Sequence, residues 1–327
     1  MAALETAQKI TGNEGASLRD LGDGVIAFEI HRKMNTFAPE VQDVLEEALS
    51  LAGGRFRAMV IANGSPQAFS AGADLKFFAG MLERQDVATQ EKFIRRGQQL
   101  FLAMKYSAVP VVAAVHGFAL GGGCEFMLHA DAVVAHSEAK IGLPEASVGV
   151  IPAWGGCTQI LLRAQERGVP AGPFATAATA FELLRGAFVS TSAAEAPARG
   201  FLRKSDRIVA HREELLSTTV THALALADNY APPPKALVTV AGPSGKSGLM
   251  ANVPGLAAAG RLTPTDCRLA EELAGIVTGG PEGDPSRPAT EEELMRVEFE
   301  AAMAMLATRE TRERIAYFLA TGKPLQN

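Results

Sequence analysis

Cysteine is scarce in this chain, and long apolar runs are missing altogether. Cys124, Cys157 and Cys267 are the only cysteines in 327 residues. They are few, odd in number and far apart, which excludes a disulfide framework and a cysteine-built zinc site. His31, His116, His129, His136, His211 and His222 are dispersed without ligand spacing, so no metal is expected. No apolar stretch is long enough to cross a bilayer, and the opening MAALETAQKITGNEG has no signal-peptide core. Basic residues do not outnumber acidic ones: 31 Lys and Arg against 36 Asp and Glu leave a net charge of -5. Neither nucleic acid nor a membrane surface is therefore an expected partner, and a cytoplasmic location is expected by default. With 47% hydrophobic and 20% charged residues, the composition is that of one large globular domain or two small ones.

The most informative stretch is 110–159. Residues 110–115 form a continuous apolar run, expected as a buried strand. Gly121, Gly122 and Gly123 follow, and a short helix is expected over 124–130. Three glycines at a helix start permit close approach to the backbone and leave the first amide N–H groups without partners, a place to hold negative charge. Glu125 lies three residues after Gly122, about one turn on and on nearly the same helix face. It could simply be a first-turn glutamate stabilised by the helix dipole. Its neighbours Phe126, Met127, Leu128 and Ala130 are apolar, however, and should desolvate the carboxylate and raise its pKa.

HGFALGGGCEF, followed by IGLPEASVGVIPAWGGCTQ, resembles the central signature of the enoyl-CoA hydratase/isomerase family. The upstream QAFSAGADLKF matches that family's other signature. The likeness covers 14–162 well and the remainder more loosely. It implies an α/β fold of the crotonase (ClpP-like) type, a spiral of β-β-α repeats with a C-terminal helical region; periodicity alone would equally allow a doubly wound sheet. It also implies two catalytic glutamates, Glu125 and Glu145, and an oxyanion hole made by the N–H groups of Ala73 and Gly122. Substrate or CoA contacts are implied at Ala71, Gly72, Asp74, Leu75, Lys76, Phe118, Gly121, Pro144 and Gly149, although Lys76 reads equally well as an exposed lysine making no specific contact. The substrate would be a coenzyme A thioester, and no cofactor or metal is called for. Hydration of a 2-enoyl-CoA in fatty-acid β-oxidation is the leading expectation. A Δ3-Δ2 isomerase of the same fold needs only one acid, and a non-catalytic acyl-CoA-binding or assembly module needs neither.

The remaining chain is expected to divide into a tail or linker over 1–20, a hydratase core over 21–230 and a C-terminal helical region over 231–327. Strands are expected over 24–30 and 58–62, and helices over 38–52 and 86–106. A further helix should start near 181, and the triple proline at 232–234 should interrupt the chain. Thr290 and Glu293 have the form of a capping box, opening a helix that continues past Ile315 to a stop at Gly322 and Pro324. His116 is expected to pack or hydrogen-bond at a strand end. Trp154 either narrows an acyl pocket or covers it. Gly245-Lys246-Ser247 looks like the end of a phosphate loop, but Val240 stands where the first glycine should be, so the motif fails. The C-terminal phrases SGLMANVPGL and RERIAYFLATGKPLQN resemble the hydratase part of multifunctional proteins that begin with a 3-hydroxyacyl-CoA dehydrogenase. No G-x-G-x-x-G follows a strand here, so an excised C-terminal region of such a protein is expected. By the same resemblance the chain would form a trimer or dimer.

Overall fold

Runs of valine, isoleucine and alanine become strands wherever both of their faces find cover. In a computed structural model, which describes residues 2–168 and 171–327, the first ten strands are β1 (Gln8–Gly12), β2 (Ala16–Asp20), β3 (Val25–Ile30), β4 (Ala58–Ile61), β5 (Ala68–Ser70), β6 (Val111–Val115), β7 (Phe118–Leu120), β8 (Ala132–His136), β9 (Lys140–Gly142) and β10 (Arg207–Val209). Two more, β11 (Leu237–Thr239) and β12 (Pro288–Thr290), follow. The helices before residue 130 are α1 (Ala2–Thr6), α2 (Pro39–Leu51), α3 (Leu75–Glu83), α4 (Val87–Lys105) and α5 (Gly122–Leu128). After it come α6 (Gly156–Arg167), α7 (Pro173–Arg185), α8 (Ala196–Arg199), α9 (Arg212–Ala227), α10 (Gly242–Met250), α11 (Val253–Ala258), α12 (Pro264–Val277), α13 (Glu291–Leu306) and α14 (Arg309–Thr321). Among the described residues no helix is long and apolar enough to cross a membrane.

The chain forms two compact units. The first combines Met1–Asp74, Arg96–Gly142 and Val189–Pro234. Its larger sheet has the order β1-β2-β3-β4-β6-β8-β10, with β1, β2 and β3 antiparallel and every later pair parallel. A second, parallel sheet has the order β5-β7-β9. Strands β4 and β5, then β6 and β7, then β8 and β9, each give one strand to the large sheet and the next to the small one. This is the β-β-α repeat that was expected. Strands β3, β4 and β6 are buried at every position, which is why they read as unbroken apolar runs rather than alternating ones.

One face of the large sheet, through Val25, Ala27, Val60, Val112 and Val134, packs on Leu215, Leu216 and Ala223 of α9. Elsewhere in this unit is an aromatic cluster centred on Phe126 of α5. Its ring lies 5.0 Å from Phe37 and 5.0 Å from Phe101, with Phe28 at 5.8 Å and Phe69 at 6.2 Å. Offset and edge contacts of this kind add to the burial energy of each ring. They pin the short helix that carries Glu125.

The second unit comprises Leu75–Arg95, Leu143–Phe188 and Lys235–Asn327. Helix α12 packs there against α6, α7, α10, α11 and α13, burying Leu269, Ala270, Leu273, Ala274 and Ile276. Thr290 and Glu293 form the expected capping box of α13, and Thr263 and Asp266 form another on α12. Glu298 of α13 is 0% exposed. Its carboxylate accepts the N–H of Gly155 at 2.5 Å, and the N–H and hydroxyl of Thr158 at 3.0 Å each. A buried carboxylate thereby caps the amide-rich start of α6, where the helix dipole favours negative charge.

Several expectations are corrected. Residues 8–20, expected in a tail, form β1 and β2. The first strand is mostly exposed or half-buried and carries a bulge between Lys9 and Thr11, so its alternation is weak although its ladder is formed. The helix expected over 124–130 starts at Gly122 and ends at Leu128. Helix α7 starts at Pro173, not near 181, because Pro173 suits a first helical position. The helix expected to run from Glu291 past Ile315 is broken after Leu306: Thr308 turns extended and caps α14 through the Thr311 N–H. The chain does pass from one unit to the other close to 230, at Pro234, but 75–95 and 143–188, within the expected core, group with the C-terminal helices.

Phe126→Ala should remove the centre of the aromatic cluster and lower unfolding free energy by about 3 to 5 kcal/mol. Urea denaturation followed by circular dichroism measures this, and a loss under about 1 kcal/mol would show that α5 is held by something else.

Candidate active site

The loop after β5 is shaped by bonds from residues that precede α2. Met34 and Asn35 have φ of 56° and 52°, a left-handed conformation that costs energy for side-chain-bearing residues. The conformation is held in place by its bonds. Asn35 Nδ2 donates to the Ala68 carbonyl at 2.7 Å, the Ser70 hydroxyl donates to the Asn35 carbonyl at 2.7 Å, and the Ala71 N–H donates to the Met34 carbonyl at 3.0 Å. Phe37 then bridges to Ala73: the Phe37 N–H donates to the Gly72 carbonyl, and the Asp74 N–H to the Phe37 carbonyl, both at 2.8 Å. This bridge uses the amides on either side of Ala73 and leaves the Ala73 N–H outside the ladder.

Gly72 brings this loop against the glycine turn. Its φ is 81°, and a Cβ placed on it would lie 2.6 Å from the Gly122 nitrogen. Gly123 is equally constrained, since a Cβ there would lie 2.1 Å from the Ser70 carbonyl oxygen. Both backbones therefore approach to a distance that only glycine permits. Gly122 is the first residue of α5, so its N–H has no acceptor within the helix. Glu125, 3% exposed, sits in the same first turn, its N–H donating to the Gly121 carbonyl at 2.9 Å. His129 Nδ1 meets the Glu125 carbonyl at 2.7 Å and closes the other end of this helix. Of the residues singled out in the sequence, the first unit thus gathers Ala71, Gly72, Ala73, Asp74, Gly121, Gly122 and Glu125. Phe118 lies on β7, partly exposed, with Lys140 Nζ 5.6 Å from its ring centre.

The second unit holds the others. Pro144 precedes a single 3-10 turn, Glu145–Val148, and its carbonyl accepts the Ser147 N–H at 2.9 Å and the Ser147 hydroxyl at 2.6 Å. Glu145, half-buried, opens the turn and Gly149 closes it. Leu75 and Lys76 begin α3, with Lys76 exposed. Trp154 is buried in the unit's core, edge-on to Phe93 at 5.3 Å, with Phe77 packed on the same Phe93 at 5.2 Å. Gly245, Lys246 and Ser247 lie inside α10 rather than in a loop, and Lys246 Nζ donates to Glu271 at 3.2 Å.

One residue with a bearing on the site gave little signal in the sequence. Arg32 pairs with Asp74 through one nitrogen and with Glu40 of α2 through another. Burial alone would lower the Arg32 pKa, but the bonds to Asp74 and Glu40 win and raise it. The Asp74 carboxylate is therefore engaged by Arg32, and the pair ties the loop to the start of α2. His116, 1% exposed, places Nε2 2.7 Å from the Ser65 carbonyl, an acceptor, so Nε2 carries the proton. Burial pushes its pKa down to about 4, with the Arg212 charge nearby acting in the same direction. The strand-end hydrogen bond expected of His116 is present.

A family model described as enoyl-CoA hydratase/isomerase matches residues 20–238. The chain belongs to the enoyl-CoA hydratase/isomerase family. Over 329 residues it is 34% identical to a protein of Bacillus subtilis (strain 168) named "Probable 3-hydroxyacyl-CoA dehydrogenase", covering 100% of this chain and 41% of that protein. Over 121 residues it is 36% identical to a protein of the same organism named "Probable enoyl-CoA hydratase", covering 37% of this chain and 45% of that one. The chain spans less than half the length of either curated relative. Among solved structures, the enoyl-CoA hydratase from Bacillus halodurans superposes with a TM-score of 0.63 at 17% identity, covering 93% of this chain and 99% of that one. That likeness carries the crotonase fold, in agreement with the strand order described above.

The hydrogen bond of His116 to the Ser65 carbonyl is a structural one, and the acid titration of the ring can be measured. A neutral imidazole is favoured in the folded state, so stability present above about pH 6.5 should fall as pH drops towards about 4, by up to about 3 kcal/mol. His116→Gln should lack that component, and parallel loss in the two proteins between pH 6.5 and 4 would contradict the assignment.

Proposed function

We propose that the chain hydrates 2-trans-enoyl-CoA thioesters to 3-hydroxyacyl-CoA, as a step of fatty-acid β-oxidation. The observation that carries this reading is the convergence in one unit of a buried carboxylate, Glu125, with the first-turn N–H of Gly122 and the adjoining 72–74 loop. Addition of water to a double bond conjugated with a thioester places negative charge on the thioester oxygen. Donors fixed before the reaction stabilise that charge best, and each one removed typically costs about 3 to 4 kcal/mol. The N–H groups of Ala73 and Gly122 fill that role in the proposal.

Water must also lose a proton while the α-carbon gains one. Glu125 is assigned chiefly to taking the proton from water, and Glu145 chiefly to delivering one to carbon, which requires one carboxylate ionised and one neutral at the start. The wider loop contacts, from Ala71 to Lys76 and at Phe118, Gly121, Pro144 and Gly149, are proposed to hold the CoA portion and the thioester. The Asp74 carboxylate serves there as part of the loop's anchor to Arg32. No cofactor enters this scheme beyond the CoA of the substrate. The likeness to a protein named as a dehydrogenase supports a further element: that hydration here is coupled to an adjoining 3-hydroxyacyl-CoA dehydrogenase activity, which would consume the product directly.

Mixing the protein with crotonyl-CoA and longer 2-enoyl-CoA esters should bleach the ultraviolet absorbance of the conjugated thioester. Glu125→Gln and Glu145→Gln should each slow this by about 10²-fold or more. Wild-type rates in either variant would remove that glutamate from the mechanism. Absorbance gained from a 3-enoyl-CoA, with none lost from the 2-enoyl ester, would replace hydration by isomerisation.

A further inference from the structure

The family match ends at residue 238, yet the turn that carries Glu145 is held by a residue far beyond it. The turn Glu145–Val148 is a single 3-10 turn. So short an element has little stability of its own and depends on whatever packs against it. Its exit, Gly149, is left-handed, with its N–H returning to the Ala146 carbonyl at 3.2 Å, while the Val150 N–H returns to the Glu145 carbonyl at 3.2 Å. The Gly149 carbonyl accepts the hydroxyl of Thr311, on the first turn of α14, at 2.9 Å. Thr311 is 0% exposed.

One turn further along α14, Arg314 lies across the same glycine: a Cβ on Gly149 would meet Arg314 Cδ at 2.8 Å. Arg314 is itself immobilised. Its guanidinium, 2% exposed, donates to Asp266 at 2.7 Å, to the Thr263 hydroxyl at 2.8 Å and to Asn327 Oδ1 at 2.8 Å. Burial works to raise the Asp266 pKa, but bonds from the Thr263 backbone and from Arg314 hold it below the usual carboxylate range, so the pair stays charged. Helix α14 also packs on α3, which begins with Leu75 and Lys76.

We infer that Thr311 is a positioning residue for Glu145: through the Gly149 carbonyl, helix α14 fixes the turn that aims the second carboxylate. The catalytic consequence rests on the hydratase reading above. The bond acts first on where the Glu145 carboxylate sits, and only secondarily on Gly149 as a proposed substrate contact. Its loss should therefore lower kcat by far more than it raises KM.

The test compares Thr311→Val, which removes the hydroxyl at nearly constant shape, with Thr311→Ser, which keeps it. Thr290→Ala serves as control, because it removes the cap of α13 without touching Gly149. Two quantities are read: steady-state hydration of crotonyl-CoA, and amide hydrogen exchange over 145–150 by mass spectrometry. In Thr311→Val, kcat should fall by about tenfold or more with KM within about twofold, and exchange over 145–150 should quicken. Thr311→Ser should restore both, and Thr290→Ala should alter neither. Unchanged kcat and unchanged exchange in Thr311→Val would overturn the inference. Failure of the wild-type protein to hydrate any 2-enoyl-CoA would sink the hydratase reading instead, and exchange over 145–150 would then decide alone whether Thr311 holds the turn.

Discussion

Two lengths of backbone meet in the first unit with no side chain between them, and the candidate site depends on that contact. The 70–74 loop presses on the 121–123 turn so closely that Gly72 and Gly123 have no room for a methyl group. Side chains are flexible and amide groups are not. An N–H direction fixed by packed backbone needs no rearrangement when charge develops on a substrate, which is the condition under which such donors are most effective. The constraint has to be maintained from outside, and several neighbours do so. The strained 34–35 segment is clamped by Ser70 and Asn35, Arg32 ties Asp74 to α2, and the Phe126 cluster keeps α5 from shifting along the sheet.

The part of the site that could be read from the sequence is the part encoded locally. Gly121, Gly122 and Gly123, an acid three residues after Gly122 and apolar runs on either side are signals within a few residues of one another, and the stretch 67–77 is a second local motif. The glycine turn and its acid mark Gly122 and Glu125 directly, whereas Ala73 is implied only by the family resemblance; all three lie in the first unit. The supports were illegible because each joins residues distant in the chain. Arg32 meets Asp74 across 42 positions, Glu298 meets Gly155 across 143, and Thr311 meets Gly149 across 162. Nothing in the neighbourhood of Glu298 or Thr311 marks it, since a glutamate or threonine on a helix is ordinary until its partner is known.

The failures in the fold have equally physical causes. Strand β1 lies at the end of the sheet order and has no buried residue, so the alternation that identifies a half-buried strand is blurred. The break after Leu306 occurs without glycine or proline. Only the extended backbone at Thr308 and its side-chain bond to the Thr311 N–H mark a new helix, and the apolar stripe runs on regardless. Burial pattern reports which residues face a core; it is silent on where the axis turns.

Each unit is assembled from three separate lengths of chain, and this has a consequence for biosynthesis. As the polypeptide emerges, the first unit lacks its third portion until residue 234 has been made, and the second lacks its own until synthesis approaches 327. The Glu145 turn leaves the ribosome well before Thr311 and Arg314, the residues that brace it. Long-range closure of this kind is slow and leaves apolar strands uncovered until the later portions arrive, an exposure that a linear arrangement of domains would shorten.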